Sequence, residues 1–312
     1  MNLQQIEYIV AVHKYKSFSK AAEACFITQA TLSTMVKKLE DELDLIIFDR
    51  KNSPIITTDC GEKIIEEAQK ILQHTRRLKE IPTEIKGEIE GELNIGVIPT
   101  IASNLLHRIL PVIIQKYPKL KLNITEITTQ NIIEKLKNGA LDLGVVSTPL
   151  DENDLEEKIL YYEKLLVYGK IKNKNTKYLK PKDLSNQQMW LLEQGNCLTD
   201  QIINVCALNK KELNANLKFH PNSFDSLLNI VDTLNGLTLI PELYFIDMPQ
   251  NKKNIVKDFT APFPVREVSL IYHRPYAKHR LIEAVATEIK ELITPILSTK
   301  NLKNSQLLIA KI

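Results

Sequence analysis

The chain contains no stretch of about 18 consecutive apolar residues, so a membrane-spanning helix of ordinary length is excluded. Its first twenty residues, MNLQQIEYIVAVHKYKSFSK, lack a basic start followed by an uninterrupted apolar core. A secretory signal is therefore not expected, and the expected location is the cytoplasm, with no membrane partner. Four cysteines are present without a CxxC pair, and the six histidines are scattered rather than set at zinc-ligand spacing. No metal site or cofactor is implied. In a reducing compartment Cys25, Cys60, Cys197 and Cys206 should be free thiols, with Cys25 and Cys60 read as small buried hydrophobes. A strong charge of either sign is also missing: the net charge is +3, and residues 1–90 carry 13 Lys and Arg against 15 Asp and Glu. Charge alone names no partner, so any nucleic-acid reading must rest on where the charges sit.

What is present is ordinary globular material, 44% apolar and 25% charged over 312 residues, enough for two or more domains. Disorder and collagen-like structure are ruled out. Residues 1–45 read as three short helices. Leu3, Ile6, Ile9, Val10 and His13 form one stripe, Ser17 or Ser19 offers a cap for KAAEACF, and Thr28 caps TQATLSTMVKKLEDEL. The last helix turns Leu32, Met35, Val36, Leu39 and Leu43 to the core. Its polar face carries Gln29, Thr31, Ser33, Thr34, Lys37 and Lys38, with Glu40, Asp41 and Glu42 at the far end. Amide side chains read base edges, hydroxyls contact bases or phosphates, and lysine neutralises phosphate. Thr28, Gln29, Thr31, Ser33, Thr34 and Lys37 are therefore candidate contacts to double-stranded DNA in a helix-turn-helix. A hairpin or wing follows around Lys51-Asn52-Ser53-Pro54, with Arg50 and Lys51 at its tip as further candidates. Periodicity alone equally allows a three-helix bundle with a solvated polar face.

Residues 59–86 carry Ile64, Ile65, Ala68, Ile71, Leu72, Thr75 and Leu78 on one stripe of a long amphipathic helix that needs a partner, most simply a second copy of itself. Such a dimer would offer two recognition helices to one duplex. From Gly91 onward strands alternate with helices: ELNIGVIPT, SNLLHRILPVIIQKYP, KLNITEITT, NIIEKLKNG and LDLGVVST, then EKLLVYGK, MWLLEQG, TDQIINVCALNK, LKFHP, SFDSLLNIVDTL, GLTLIP, EVSLIYHR and a helix from about His279 to Leu297. This alternation predicts α/β structure with parallel sheet, in two lobes around a cleft where strand ends bind ligand. Thr100, Thr128 and Thr129 fall at such ends.

The segment FSKAAEACFITQATLSTMVKKLEDELDLIIFDR through TTDCG resembles the N-terminal domain of LysR-type transcriptional regulators, and the resemblance extends over essentially the whole chain. It implies a winged helix-turn-helix at 1–58, a linker and dimerisation helix at 59–88, and a Rossmann-like, periplasmic-binding-protein-like regulatory domain at 89–312. Lobe I would comprise 91–164 and 268–299, and lobe II 165–267. Asp44 stands where the family usually has Gly, and Ala30 where it usually has Pro. In IGVIPT, LLEQGNCLTDQIINVC, NSFDSLLNIV and LIPEL the regulatory half looks like the hydrogen-peroxide-sensing branch, the OxyR group. That resemblance implies Cys197 as peroxidatic and Cys206 as resolving cysteine, joined by a disulfide on oxidation. It implies a peroxide pocket of Thr100, Thr129, Asp200 and Arg274. Its partners would be an operator DNA, hydrogen peroxide, RNA polymerase, a glutaredoxin- or thioredoxin-like reductant and three further copies in a homotetramer. Asn196 and Lys218 stand where the best-known members carry His.

The chemistry sets its own demands. Only a thiolate attacks peroxide, so Cys197 needs local positive potential, which a helix start at Thr199-Asp200 supplies and Glu193 and Asp200 oppose unless Arg274 or Lys218 comes near. Along a regular helix the Cα atoms of Cys197 and Cys206 lie on the order of 13 Å apart, whereas a disulfide tolerates about 7 Å. Bond formation must therefore unwind the helix, which is what a switch requires. Two cysteines nine apart also arise by chance, and Cys206, between Val205 and Ala207, suits a core. Two other readings stay open: a LysR-type regulator whose cleft binds a small metabolite, and a thiol peroxidase. The second leaves the helix-turn-helix without a use.

Overall fold

The computed structural model describes residues 1–86, 89–171, 179–193, 195–208, 219, 221–273 and 278–312. The chain divides into two compact units, Met1–Gly87 and Glu88–Ile312. In the first, α1 (Leu3–Tyr15), α2 (Phe18–Ala24) and α3 (Gln29–Leu43) are followed by a two-stranded antiparallel wing, β1 (Phe48–Asp49) and β2 (Ile56–Thr57), and by the long helix α4 (Asp59–Lys86). Capping side chains set the helix starts. Ser17 accepts a hydrogen bond from the Lys20 amide, and Thr28 accepts one from Thr31 at 3.2 Å. Helix α3 ends at Asp44 in the left-handed region (φ 51°), a position that favours glycine and that aspartate tolerates. Ala30, in its first turn, leaves the helix start at Gln29 undisturbed.

Leu32, Val36 and Leu39 of α3 are fully buried with Ile9, Val12, Phe48, Ile65 and Ala68. Burying each of the large side chains contributes roughly 1.5–3 kcal/mol. The first half of α4 thus packs into the core of the first unit. Ile71 and Leu78, further along the same stripe, are exposed within one chain. Gly61 sits so close to β1 that a Cβ there would lie 2.3 Å from the Ile47 carbonyl oxygen. The expectation for two cysteines is corrected: Cys60, in the first turn of α4, is exposed, and Cys25, the residue that caps the end of α2, is only half-buried.

The second unit comprises β3 (Gly91–Val97), α5 (Pro99–Lys116), β4 (Leu120–Glu126), α6 (Thr129–Lys137), β5 (Leu143–Thr148), β6 (Leu155–Gly169), α7 (Cys197–Cys206), α8 (Phe224–Leu234), β7 (Leu237–Pro241), α9 (Glu242–Asp247), α10 (Gln250–Lys253), β8 (Val256–Lys257), β9 (Phe263–His273), α11 (His279–Ile293) and β10 (Leu307–Ile309). The strands form one sheet path, β4-β3-β5-β9-β6-β7, with β8 on β6 and β10 on β9. Pairings β3/β4, β3/β5 and β10/β9 are parallel; β5/β9, β9/β6, β6/β7 and β6/β8 are antiparallel. The sheet is therefore mixed, which corrects the expectation of parallel strands. Long β6 and β9 meet antiparallel, and β6 contributes to two apolar clusters. One cluster, around Leu93, Val97, Leu105 and Ile282, takes β6 up to Tyr161 and β9 from Val268. The other, around Leu165, Leu198, Cys206, Leu228 and Leu239, takes the other half of β6.

Two smaller expectations differ. MWLLEQG forms no strand, only a single bridge from Met189 to Leu237. The helix read over TDQIINVCALNK starts earlier, at Cys197, and closes at Cys206; its last two residues, with Lys218, most of LKFHP and Arg274, lie outside the described residues. Among the described residues no helix is long and apolar enough to cross a membrane.

Candidate functional site: a buried thiol at three helix starts and an exposed recognition helix

Cys197 is the first residue of α7. Gly195, at φ 90°, turns the chain into it, and the Asn196 side chain caps the helix by accepting from the Leu198 amide at 3.1 Å. The Cys197 Sγ lies 2.8 Å from the Oγ1 of Thr129, which is itself the first residue of α6. Both belong to a small pocket of about 110 Å³ whose walls are Ile98 and Pro99 at the start of α5, Thr128 and Thr129 at the start of α6, Asn196 and Cys197 at the start of α7, and Glu193, Gly195 and Asn222. Three helix N-termini therefore converge on one cavity, and their unpaired N–H groups favour negative charge there. Thr100 and Thr129, expected at strand ends, stand in the first turns of the helices that follow.

Thr100 serves an arginine. The Arg266 guanidinium donates to Thr100 Oγ1 and to the Thr100 carbonyl, each at 3.1 Å, and pairs with Glu163, with Nε donating at 2.8 Å and Nη2 at 2.7 Å from the same carboxylate oxygen. Arg266 and Glu163 face one another across β9 and β6, and both are completely buried. The other Glu163 oxygen accepts from the Leu243 amide at 3.1 Å. Sequence reasoning missed Arg266; Arg274, which it named, lies outside the described residues. The basic group on Thr100 is the one that interrupts the apolar strand PVREVSL. A lone Glu in YYEKLLV and a lone Arg in PVREVSL, each inside an apolar strand, are the signal that could have found the pair, because buried charges need partners.

Burial is the largest influence on the Cys197 thiol and raises its pKa above the ordinary value. The Thr129 hydrogen bond, the Arg266 charge and its own backbone amide pull the other way, while Asp200 adds to the rise. The expectation of a thiol set in positive potential is thus only partly met. Arg266 and the helix ends are present, and exclusion of water outweighs them in the resting state. Cys206, at the other end of α7, is fully buried in the second apolar cluster, and burial pushes its thiol up to about 12. All four cysteines are free.

In the first unit the candidate DNA-contacting residues Thr28, Gln29, Thr31, Thr34, Lys37, Arg50 and Lys51 are exposed, and Ser33 is half-buried. Several are pre-positioned by neighbours. Ser19 donates to the Gln29 amide oxygen at 2.8 Å, Thr34 donates to the Ala30 carbonyl at 2.9 Å, and Arg50 donates to Ser33 at 3.2 Å while pairing with Glu40 at 2.6 Å. Glu40 lies at the far end of the helix, where the sequence reading expected it only not to oppose DNA. It is buried, and its other oxygen accepts from the amides of Ile47 at 2.8 Å and Phe48 at 3.1 Å, fastening the wing to α3.

An exposed helix-turn-helix face in one unit and a small thiol-bearing pocket in the other mark a DNA-binding regulator with a second, α/β domain, and comparison with known proteins agrees. Residues 3–62 match the bacterial regulatory helix-turn-helix protein, lysR family, and residues 86–293 match the LysR substrate binding domain. The chain belongs to the LysR family of DNA-binding transcriptional regulators. It is 31% identical over 301 residues to the hydrogen peroxide-inducible genes activator of Haemophilus influenzae, covering 94% of this chain and 99% of that protein. It is 30% identical over 276 residues to the DNA-binding transcriptional dual regulator OxyR of Escherichia coli, covering 87% and 89%. A full-length OxyR variant from Pseudomonas aeruginosa has the same fold, with a TM-score of 0.76 at 28% identity over 93% of this chain and 98% of that one. Within the family the chain groups with these OxyR-like, hydrogen-peroxide-inducible activators.

Proposed function

We propose that the protein is a cytoplasmic activator of oxidative-stress genes that reads hydrogen peroxide through Cys197. The observation that carries this reading is the Cys197 sulfur, 2.8 Å from Thr129 in a small pocket at three helix starts, with a second thiol at the far end of the same helix. The thiolate of Cys197 attacks one peroxide oxygen, the O–O bond breaks, and hydroxide leaves and is protonated to water. The resulting sulfenic acid is then attacked by the sulfur of Cys206, its oxygen leaving as a second water and a disulfide remaining. Thr129 holds the reacting sulfur, Thr100 anchors Arg266, and Arg266 takes the electrostatic role the sequence reading gave to Arg274, with Asp200 opposing it. The disulfide repacks the regulatory domain, and a homotetramer on operator DNA conveys the change to RNA polymerase through Thr28, Gln29, Thr31, Ser33, Thr34, Lys37, Arg50 and Lys51. A glutaredoxin- or thioredoxin-like reductant resets it.

The test is thiol mapping by mass spectrometry before and after a stoichiometric pulse of hydrogen peroxide. A Cys197–Cys206 disulfide within seconds, with Cys25 and Cys60 unchanged, is the expected result; two free thiols at that dose would refute the reading. One observation favours a second reading. Burial raises the pKa of both thiols, as expected of structural cysteines, in which case the same pocket takes a small metabolite. Saturable binding of such a ligand by Cys197→Ser would establish that alternative.

A further inference from the structure

Helix α7 is not held by its apolar face alone. Gln201 has no solvent exposure, and its amide nitrogen donates to the Ala310 carbonyl at 2.8 Å and to Ser147 Oγ on β5 at 3.1 Å. One turn further on, Asn204 donates to the Lys311 carbonyl at 3.2 Å. Ala310 is itself fully buried in the apolar cluster that holds Cys206, and its amide donates to the Val265 carbonyl at 2.8 Å, closing the β10/β9 ladder. Two amide side chains three residues apart, on one face of α7, thus clasp two consecutive carbonyls of the segment that follows β10.

We infer that residues 307–311 form a latch on α7 that holds the reduced state and is released when Cys197 and Cys206 join. The inference rests on the redox reading above and concerns what that switch moves. Both clasping residues lie between the two cysteines. A disulfide brings Cα atoms from about 13 Å to within about 7 Å, so the intervening helix unwinds and the one-face spacing of 201 and 204 is lost. In the covalent step two thiols are oxidised and one peroxide reduced: an S–S bond replaces two S–H bonds, the O–O bond breaks, and two waters leave. Ser147 keeps a second partner, donating to the Glu267 carbonyl at 3.2 Å, so the β5/β9 pairing survives. Among the described residues the Ala310 and Lys311 carbonyls have no such fallback, and the segment they belong to is the one that opens.

The experiment is hydrogen exchange on the full-length protein, reduced and after one equivalent of hydrogen peroxide, with thiol mapping of the same samples. The amides of 307–311 should exchange at least tenfold faster in the disulfide form, while those of β5 keep their protection. A mapped disulfide with unchanged β10 amides overturns the latch and leaves the sensing reading intact; no disulfide overturns both. Asn204→Ala removes one clasp without touching either cysteine or the core. In the reduced variant the same amides should exchange several-fold faster, and unaltered exchange would also overturn the proposal.

Discussion

Helices α3 and α7 are built alike at their ends and oppositely along their faces. Each begins at a side-chain cap, Thr28 or Asn196, and each ends at a residue with φ of 51°, Asp44 or Ala207. In α3 the residues assigned to DNA lie on the exposed face, and the fold depends on the opposite one, so function and stability reside on different side chains. In α7 the Cys197 thiol proposed to meet peroxide, the Cys206 thiol and the hydrogen-bonding Gln201 are all buried. On the proposed redox reading, chemistry there would disturb the packing. A reader of DNA can be stiff, whereas a helix whose ends the proposed disulfide joins would have to come apart.

The sharpest break of this comparison is Cys197→Ser. It should abolish peroxide-dependent transcription while leaving operator affinity unchanged, as measured by reporter assay and gel shift. Loss of both together would mean that the two functions are not carried by separate helices. Next in size is Arg266→Met. It strands the fully buried Glu163 carboxylate, and removing one partner of such a pair costs about 3–5 kcal/mol. Thermal unfolding should fall steeply, and replacing both partners by apolar residues should restore most of the loss. If the single variant keeps the parent midpoint, the pair does not support the sensor.

The fold and site were unequally legible in the sequence. Helices with side-chain caps and one-face stripes were readable residue by residue, because Thr28 or the run at Leu32, Val36 and Leu39 acts locally. Strand direction was not: β6 and β9 read as strands, but nothing local tells Glu163 that Arg266, 103 residues later, lies directly opposite it. The thiol environment was misjudged for a related reason. A helix start just after Cys197, at Thr199-Asp200, was visible, whereas the burial of Cys197 depends on α6 and on the start of α5, which approach only in the folded chain.

Acidity separates the two helices further. Because burial raises the Cys197 pKa, the attacking thiolate is the minor form at neutral pH, and the peroxide rate constant should rise about tenfold per pH unit from 6 to 8. A flat profile would mean an already ionised thiol. For Cys206 the sign runs through stability. The folded thiol is raised to about 12 from 9.0, so above pH 9 the unfolded chain loses its proton first. Stability should be fully present below pH 9 and decline towards pH 12, less so in Cys206→Ala. Lys37→Ala on α3 should show neither effect. It should keep the unfolding midpoint while reducing the salt dependence of operator binding by about one phosphate contact.

The smallest effect concerns the two helix ends. A residue with a Cβ in the left-handed region costs roughly 1–2 kcal/mol, and aspartate, whose side chain bonds locally, bears less of it than alanine. Glycine removes that strain but loses more backbone entropy on folding. Asp44→Gly should therefore shift stability little, whereas Ala207→Gly should raise it by about 0.5–1 kcal/mol in reduced protein. Since Ala207 follows Cys206 directly, a firmer end to α7 also opposes unwinding, so Ala207→Gly should slow disulfide formation several-fold and Asp44→Gly should not. Equal rates in the two variants would mean that α7 does not unwind from its C-terminal end, and that the barrier to the switch lies at the capped start beside Cys197.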